Sequence, residues 1–131
     1  MKVGQDIQAG RGDWSFEGPV AETFVEHVRQ SVPWYDAGHD LVCGLSDYFV
    51  HRDSLCYEIG VSTGQLLRKL AEHHEHKPDV QWVGIDPVPE MIDRARAHCK
   101  DLNNVELEVG DALTWEFGKA DLIVSYYTVQ F

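Results

Sequence analysis

The stretch Ser54-Leu-Cys-Tyr-Glu58-Ile-Gly60-Val-Ser62-Thr-Gly64 constrains this chain more than any other part of it. A short apolar strand ends in an acidic residue, a glycine-rich turn follows, and a helical pattern then runs from Gln65 to His73. That order brings backbone N–H groups and a helix N-terminus to face a ligand at close range. The next apolar run, Gln81-Trp-Val-Gly-Ile-Asp86, ends in a second carboxylate 22 positions after Gly64. In a parallel α/β sheet two such strand ends lie side by side at the carboxyl edge, where these folds bind ligands. A carboxylate there suits a ribose diol, because it accepts hydrogen bonds from both hydroxyls.

The rest of the chain continues the alternation. Residues 1–17 read as a mobile leader, and a single domain is expected over 18–131. Gly18-Pro19 starts a helix over 20–30 with Val20, Phe24, Val25 and Val28 on one stripe, and Pro33 stops it. A second helix over 36–50 carries Leu41, Leu45, Tyr48 and Phe49 at helical spacing. Strands at 55–59, 80–86, 105–109 and 121–126 then alternate with helices at 64–74 and 89–100, Pro89-Glu90 opening the latter. This succession predicts an α/β fold, a parallel sheet with right-handed crossovers and helices on both faces, ending after the fourth strand. That strand, Ala120 to Tyr127, is almost wholly apolar, as for a strand covered on both sides.

Composition narrows the partners. A net charge of −11 argues against an extended nucleic-acid face, since such faces rest on Lys and Arg, and it favours a small-molecule substrate. No apolar run reaches the roughly 20 residues of a membrane span, so no membrane partner is expected. Three scattered cysteines fit neither a disulfide framework nor a zinc knuckle, and point to a reducing cytoplasm.

Two cofactor classes use a turn of this kind. Dinucleotide sites want G-x-G-x-x-G, and here the third small position is Gln65. Glu58-x-Gly60-x-Ser62-x-Gly64 instead resembles motif I of class I S-adenosylmethionine (SAM) methyltransferases, acidic-x-G-x-G-x-G, with Ser62 in place of the middle glycine. An acidic residue before the turn would repel a pyrophosphate but can approach the cationic end of SAM. Asp86 and Gly110-Asp111-Ala112 add two more acidic strand ends.

More narrowly, the chain resembles the carboxy-SAM synthase group, whose product serves wobble-uridine modification of tRNA. The likeness is carried by Val20 to Phe24, Arg29-Gln-Ser31-Val-Pro33-Trp-Tyr35, Glu58 to Ser62, and Tyr127 to Phe131. It implies Tyr35 over the cofactor and Gly60, Val61 and Ser62 along its methionine part. Asp86 and Pro87 would meet the ribose, and Asp111 and Ala112 the adenine. Glu58, Gly64 and Met91 complete the implied site, with Tyr126 standing where the group has asparagine. The family sheet has seven strands and this sequence accounts for four, so the acceptor-binding part, with its carboxylate-recognising arginine, has no counterpart here. No catalytic acid or base stands out, which fits a transfer that needs alignment more than proton transfer.

Other features have plainer readings. His73-His74-Glu75-His76 reads as a solvated helix end rather than a metal site, favoured there by the helix dipole. Cys56 reads as a small core residue. His39 and His51 have no acidic or serine partner at recognisable spacing. Trp34 and Tyr35 suit a lid, and one of Tyr126 and Tyr127 is expected in the site with the other in the core. Three functions remain open: a SAM-dependent methyltransferase of a small molecule, a carboxy-SAM synthase-like enzyme, and a non-catalytic SAM-binding fragment or interaction module. A dimer or larger assembly through residues 120–131, or else poor solubility, is expected, because an apolar edge strand templates pairing.

Overall fold

The computed structural model describes residues 19–130, so the leader expected over 1–17 and the final Phe131 lie outside the described residues, as does the side chain of Val20. Two helices, α1 (Pro19–Ser31) and α2 (Tyr35–Ser46), precede a sheet of β1 (Leu55–Ile59), β2 (Gln81–Asp86), β3 (Val105–Val109) and β4 (Leu122–Ser125). Helices α3 (Gln65–His73) and α4 (Pro89–His98) form the first two crossovers. The spatial order is β3-β2-β1-β4, and all three pairings are parallel. The reversal between β1 and β4 puts a topological switch point beside the glycine turn, where such sheets bind ligands.

The sheet has two unlike faces. On one, Cys56, Trp82, Leu107 and Val124 join a core built with Cys43 of α2, Leu67 and Leu70 of α3 and Ile92 of α4. Cys56 is wholly buried there, as its place in an apolar strand predicts. On the other, Tyr57, Val83 and Ile85 are covered by the connection between β3 and β4, through Ala112, Trp115 and Phe117. The Tyr57 hydroxyl also accepts a hydrogen bond from Gly118 N–H at 3.1 Å. Helical cover is therefore found on one face among the described residues. The connection 110–120 forms turns where a helix would otherwise pack. The expectation that β4 is covered on both sides is corrected as well: Val124 is buried, but Ile123, beside Tyr57, is 47% exposed.

Helix α2 departs further from its sequence pattern. It ends at Ser46, four residues early, because the ladder tightens into Tyr48 N–H to Leu45 C=O and Phe49 N–H to Ser46 C=O bonds. Its buried residues are His39, Cys43 and Ser46, while Leu41, Leu45, Tyr48 and Phe49 are all exposed. Close packing elsewhere depends on Gly84 in β2. A Cβ there would stand 2.6 Å from Val61 and 2.9 Å from both Leu67 and Leu107. No helix among the described residues is long and apolar enough to cross a membrane.

Candidate functional site

The end of β1 and the start of α3 are joined by a turn in which Gly60, Ser62 and Gly64 all adopt positive φ, at 69°, 52° and 81°. Glycine takes this left-handed conformation freely, whereas serine does so at some cost. Ser62 thus keeps the backbone that a glycine would have there, and its hydroxyl donates to the Gly60 carbonyl at 3.3 Å. Gly60 and Val61 N–H groups both bond the Ile85 carbonyl, at 2.8 and 3.0 Å, which seats the turn on the end of β2. The side chain of Thr128 lies against Gly60 where a Cβ would project. Its hydroxyl donates to Ile59 C=O or Tyr126 C=O, at 3.3 and 3.2 Å.

Asp86 braces this edge. Its Oδ2 accepts from Ser62 N–H and its Oδ1 from Val88 N–H, each at 3.0 Å. Each oxygen keeps a second lone pair for another donor. Burial nevertheless raises its pKa, against the effect of those two bonds. Glu58 is 4% exposed, and its Oε2 has no hydrogen-bond partner among the described residues. Burial above all, with the Asp86 charge adding to it, pushes its pKa well above the usual carboxylate range, although a backbone bond to Leu67 works the other way. A buried carboxylate in this condition is favourable to leave charged only beside a cation or strong donor.

The third acidic strand end follows directly, since Gly110 N–H bonds the Asp86 carbonyl at 3.0 Å. Asp111 is exposed and its Oδ1 accepts from Leu113 N–H at 2.9 Å, forming a turn. The structure thus gathers Glu58, the glycine turn, Asp86, Pro87, Asp111 and Ala112 along one edge. Val61 and Met91 are placed differently from a lining residue: their side chains are 2% and 1% exposed and pack in the interior.

Tyr35 and Tyr126 belong to an aromatic group beside β1. His39 lies between them, 4.2 Å from the Tyr35 ring and 5.2 Å from that of Tyr126. The Tyr126 hydroxyl sits against Gly38 and donates to the Tyr35 carbonyl at 3.4 Å. Burial first, and the Glu58 charge next, push the Tyr35 phenol up. His39 is driven down to about 4 by burial and then by Lys69, whose ammonium donates to Nδ1 at 3.2 Å. Trp34, expected with Tyr35 as a lid, is 82% exposed with φ 62°. Tyr126 is half-buried and packs against the main core, while Tyr127 is exposed.

The sequence leaves His39 and His51 without partners and reads His74 as solvated, and the structure gives each of the three a partner. His51 Nε2 lies 3.2 Å from Asp121 Oδ1, 70 residues away, while His39 meets Lys69. His74 is buried rather than solvated, with Nε2 at 2.8 Å from Ser46 Oγ. That pair is not a nucleophilic triad, because Nδ1 of His74 faces no carboxylate among the described residues. Thr128, His39 and the buried Thr63 hydroxyl are neighbours of the edge to which the sequence assigns no role. A cavity of about 550 Å³ lies between α1, the start of α3 and the second half of α4. Phe24, Arg29, Thr63, Gln65 and His98 line it, and none of the residues expected at the cofactor does.

The methyltransferase-domain family profile matches residues 57–131, more than half of the chain. The chain is 32% identical over 126 residues to the carboxy-S-adenosyl-L-methionine synthase of Klebsiella pneumoniae, a match covering 94% of this chain and 51% of that protein. The enzyme of the same name from Pectobacterium atrosepticum is 30% identical with the same coverage. The chain thus spans about half the length of the curated relatives it matches. Among solved structures, one assigned as a SAM-dependent methyltransferase of Methanococcus maripaludis superposes with a TM-score of 0.69 at 22% identity, covering 98% of this chain and 56% of that one. A SAM-dependent methyltransferase from Thiobacillus denitrificans, solved with S-adenosyl-L-homocysteine, gives a TM-score of 0.64 at 16% identity, covering 86% and 45%. Glycine turn, strand order and family profile agree: this chain belongs to the methyltransferase-domain family, on the Rossmann-like fold of SAM-dependent methyltransferases.

Proposed function

We propose that this chain binds SAM at the carboxyl edge of its sheet and serves a SAM-dependent methyltransferase of a small-molecule acceptor. The observation that carries the reading is the buried, unpartnered Oε2 of Glu58 beside the braced Asp86, on a turn built with three positive φ values. A cationic ligand with a diol fits that pair of carboxylates, whereas a pyrophosphate would face repulsion from both. In this reading Gly60, Val61, Ser62 and Gly64 offer backbone to the methionine part. Asp86 and Pro87 meet the ribose, and Asp111 and Ala112 flank the adenine. Tyr35 and Tyr126 close the site from the α2 side. SAM supplies an electrophilic methyl on a sulfonium, and the task left to these residues is to fix its direction and exclude water. Three buried free cysteines support a cytoplasmic, reducing setting.

Calorimetric titration with SAM, S-adenosylhomocysteine and NAD tests this. SAM or S-adenosylhomocysteine is expected to bind in preference, and Asp86→Ala to weaken binding at least about tenfold, the worth of one charge-assisted hydrogen bond. Tighter binding of NAD would overturn the reading. A second reading is favoured by the 30–32% identity to carboxy-SAM synthases: the ligand would carry an extra carboxylate. Mass spectrometry of the nucleoside released from purified protein separates the two. A folded protein that holds no sulfonium nucleoside would leave the non-catalytic interaction module.

A further inference from the structure

A second cluster lies far from the glycine turn. Helix α3 leaves the carboxyl edge and runs back along the sheet, so His73 and His74, at its end, sit at the amino edge beside the end of α2. There Asp47 Oδ1 stands 2.9 Å from His73 Nε2 and 3.9 Å from His74 Nε2. One ligand atom from each of the three residues lies within 4.8 Å of the others. Ligands about 2.0–2.1 Å from a tetrahedral zinc ion stand roughly 3.4 Å apart, so the two measured distances bracket the required edge.

We propose that Asp47, His73 and His74 form a binding site for a divalent transition-metal ion of the zinc type. Two imidazoles and one carboxylate are a donor set that suits such ions and not magnesium or calcium. An ion pair between Asp47 and His73 would account for the shortest distance alone, but it does not account for His74. That ring has a side-chain exposure of 0% and is stacked on Trp82 at 5.7 Å and 26°. Its position is therefore fixed before any ion arrives, with Nε2 at 2.8 Å from Ser46 Oγ and 3.9 Å from Oδ1 of the exposed Asp47.

The proton has somewhere to go. Ser46 Oγ donates to the Cys43 carbonyl at 2.6 Å, so in the metal-free state His74 Nε2–H donates to Ser46 Oγ. Nδ1 has no partner among the described residues and can take the proton. Metal binding then costs one hydrogen bond, and it pins the end of α2 to the end of α3.

Titration with zinc chloride, and with cobalt chloride followed by visible absorption, tests the site. One ion per chain is expected, with a rise in the thermal midpoint as the ion selects the folded state. Asp47→Ala and His73→Ala are each expected to lower affinity at least tenfold. Both positions are exposed, and circular dichroism checks that the variants fold. His76→Ala serves as the control, since His76 lies outside the three-residue cluster. Unchanged affinity in Asp47→Ala would overturn the proposal. So would an equal loss in His76→Ala, which would mean that the histidine run binds the ion without α2, or the absence of any binding below millimolar zinc.

Discussion

At one side of the sheet β3 presents Glu106 and Glu108 on the face that carries Val83 and Ile85, both glutamates exposed. At the other side and on the same face, β4 presents Ile123. The difference extends to the backbone. Arg96 of α4 donates through Nε and Nη2 to the Leu107 carbonyl, at 3.2 and 2.8 Å, so a carbonyl on the free side of β3 is satisfied within the chain. On β4 the polar anchors stop at its start. Asp121 N–H bonds Leu55 C=O at 2.9 Å and Asp121 Oδ2 accepts from Leu55 N–H at 3.3 Å. Beyond it come Ile123, Tyr127 and Val129, all exposed, the last at 86%. Charge and a capping guanidinium are how natural sheets keep an edge from pairing with another chain. The β3 side is finished in that sense and the β4 side is open.

The largest expected effect tests that contrast directly. We expect the isolated chain to assemble through residues 120–131, and Ile123→Lys to bring the mass from light scattering back to that of one chain. Since Ile123 is half exposed, the charge should cost little in folding. A wild-type chain that stays monomeric at high concentration would show that the β4 edge is as well protected as β3. Next in size, Arg96→Ala should lower stability by about 1 kcal/mol, the net worth of a hydrogen bond at a half-exposed group, read as a shift in the urea midpoint. No shift would mean that water serves the Leu107 carbonyl equally well, leaving only the two glutamates to protect β3.

The smallest effect concerns the anchor of β4. The Arg52 carbonyl, at 2.7 Å from Nδ1, and then the Asp121 charge raise the pKa of His51. A group whose folded pKa lies above its unfolded value of about 6.5 stabilises fully below that value, and the contribution fades as pH climbs through the folded pKa. The urea midpoint of wild type should therefore exceed that of His51→Ala at pH 6 by a small margin that disappears by pH 8. A margin that is constant with pH would mean that His51 holds the start of β4 by contact rather than by charge.

Strands and crossovers were legible because apolar runs end in Glu58, Asp86 and Gly110-Asp111, which mark the carboxyl edge directly. The glycine turn was legible for the same reason, although not that Ser62 shares the positive φ of its glycine neighbours. Helix α2 was not, since a stripe such as Leu41 and Leu45 announces an apolar face without saying what it meets. Here the core takes His39, Cys43 and Ser46 instead, because α3 brings Lys69 and His74 to them. Partners such as Asp121 for His51 or Thr128 for Gly60 lie about 70 residues away, and no local period encodes them.

The two backbone bonds to Asp86 carry a consequence for speed and selectivity as well as for shape. A flexible aspartate must give up its rotamer freedom whenever it captures a ligand, an ordering loss of about 0.5–1.5 kcal/mol for a rotamer-rich side chain. Here Ser62 and Val88 N–H groups have already fixed the carboxylate. In the proposed reading, a ribose diol arriving at this edge would meet an acceptor aimed in advance, so its recognition would need no rearrangement of the turn. A ligand with its donors spaced differently finds a carboxylate that cannot swing to meet it.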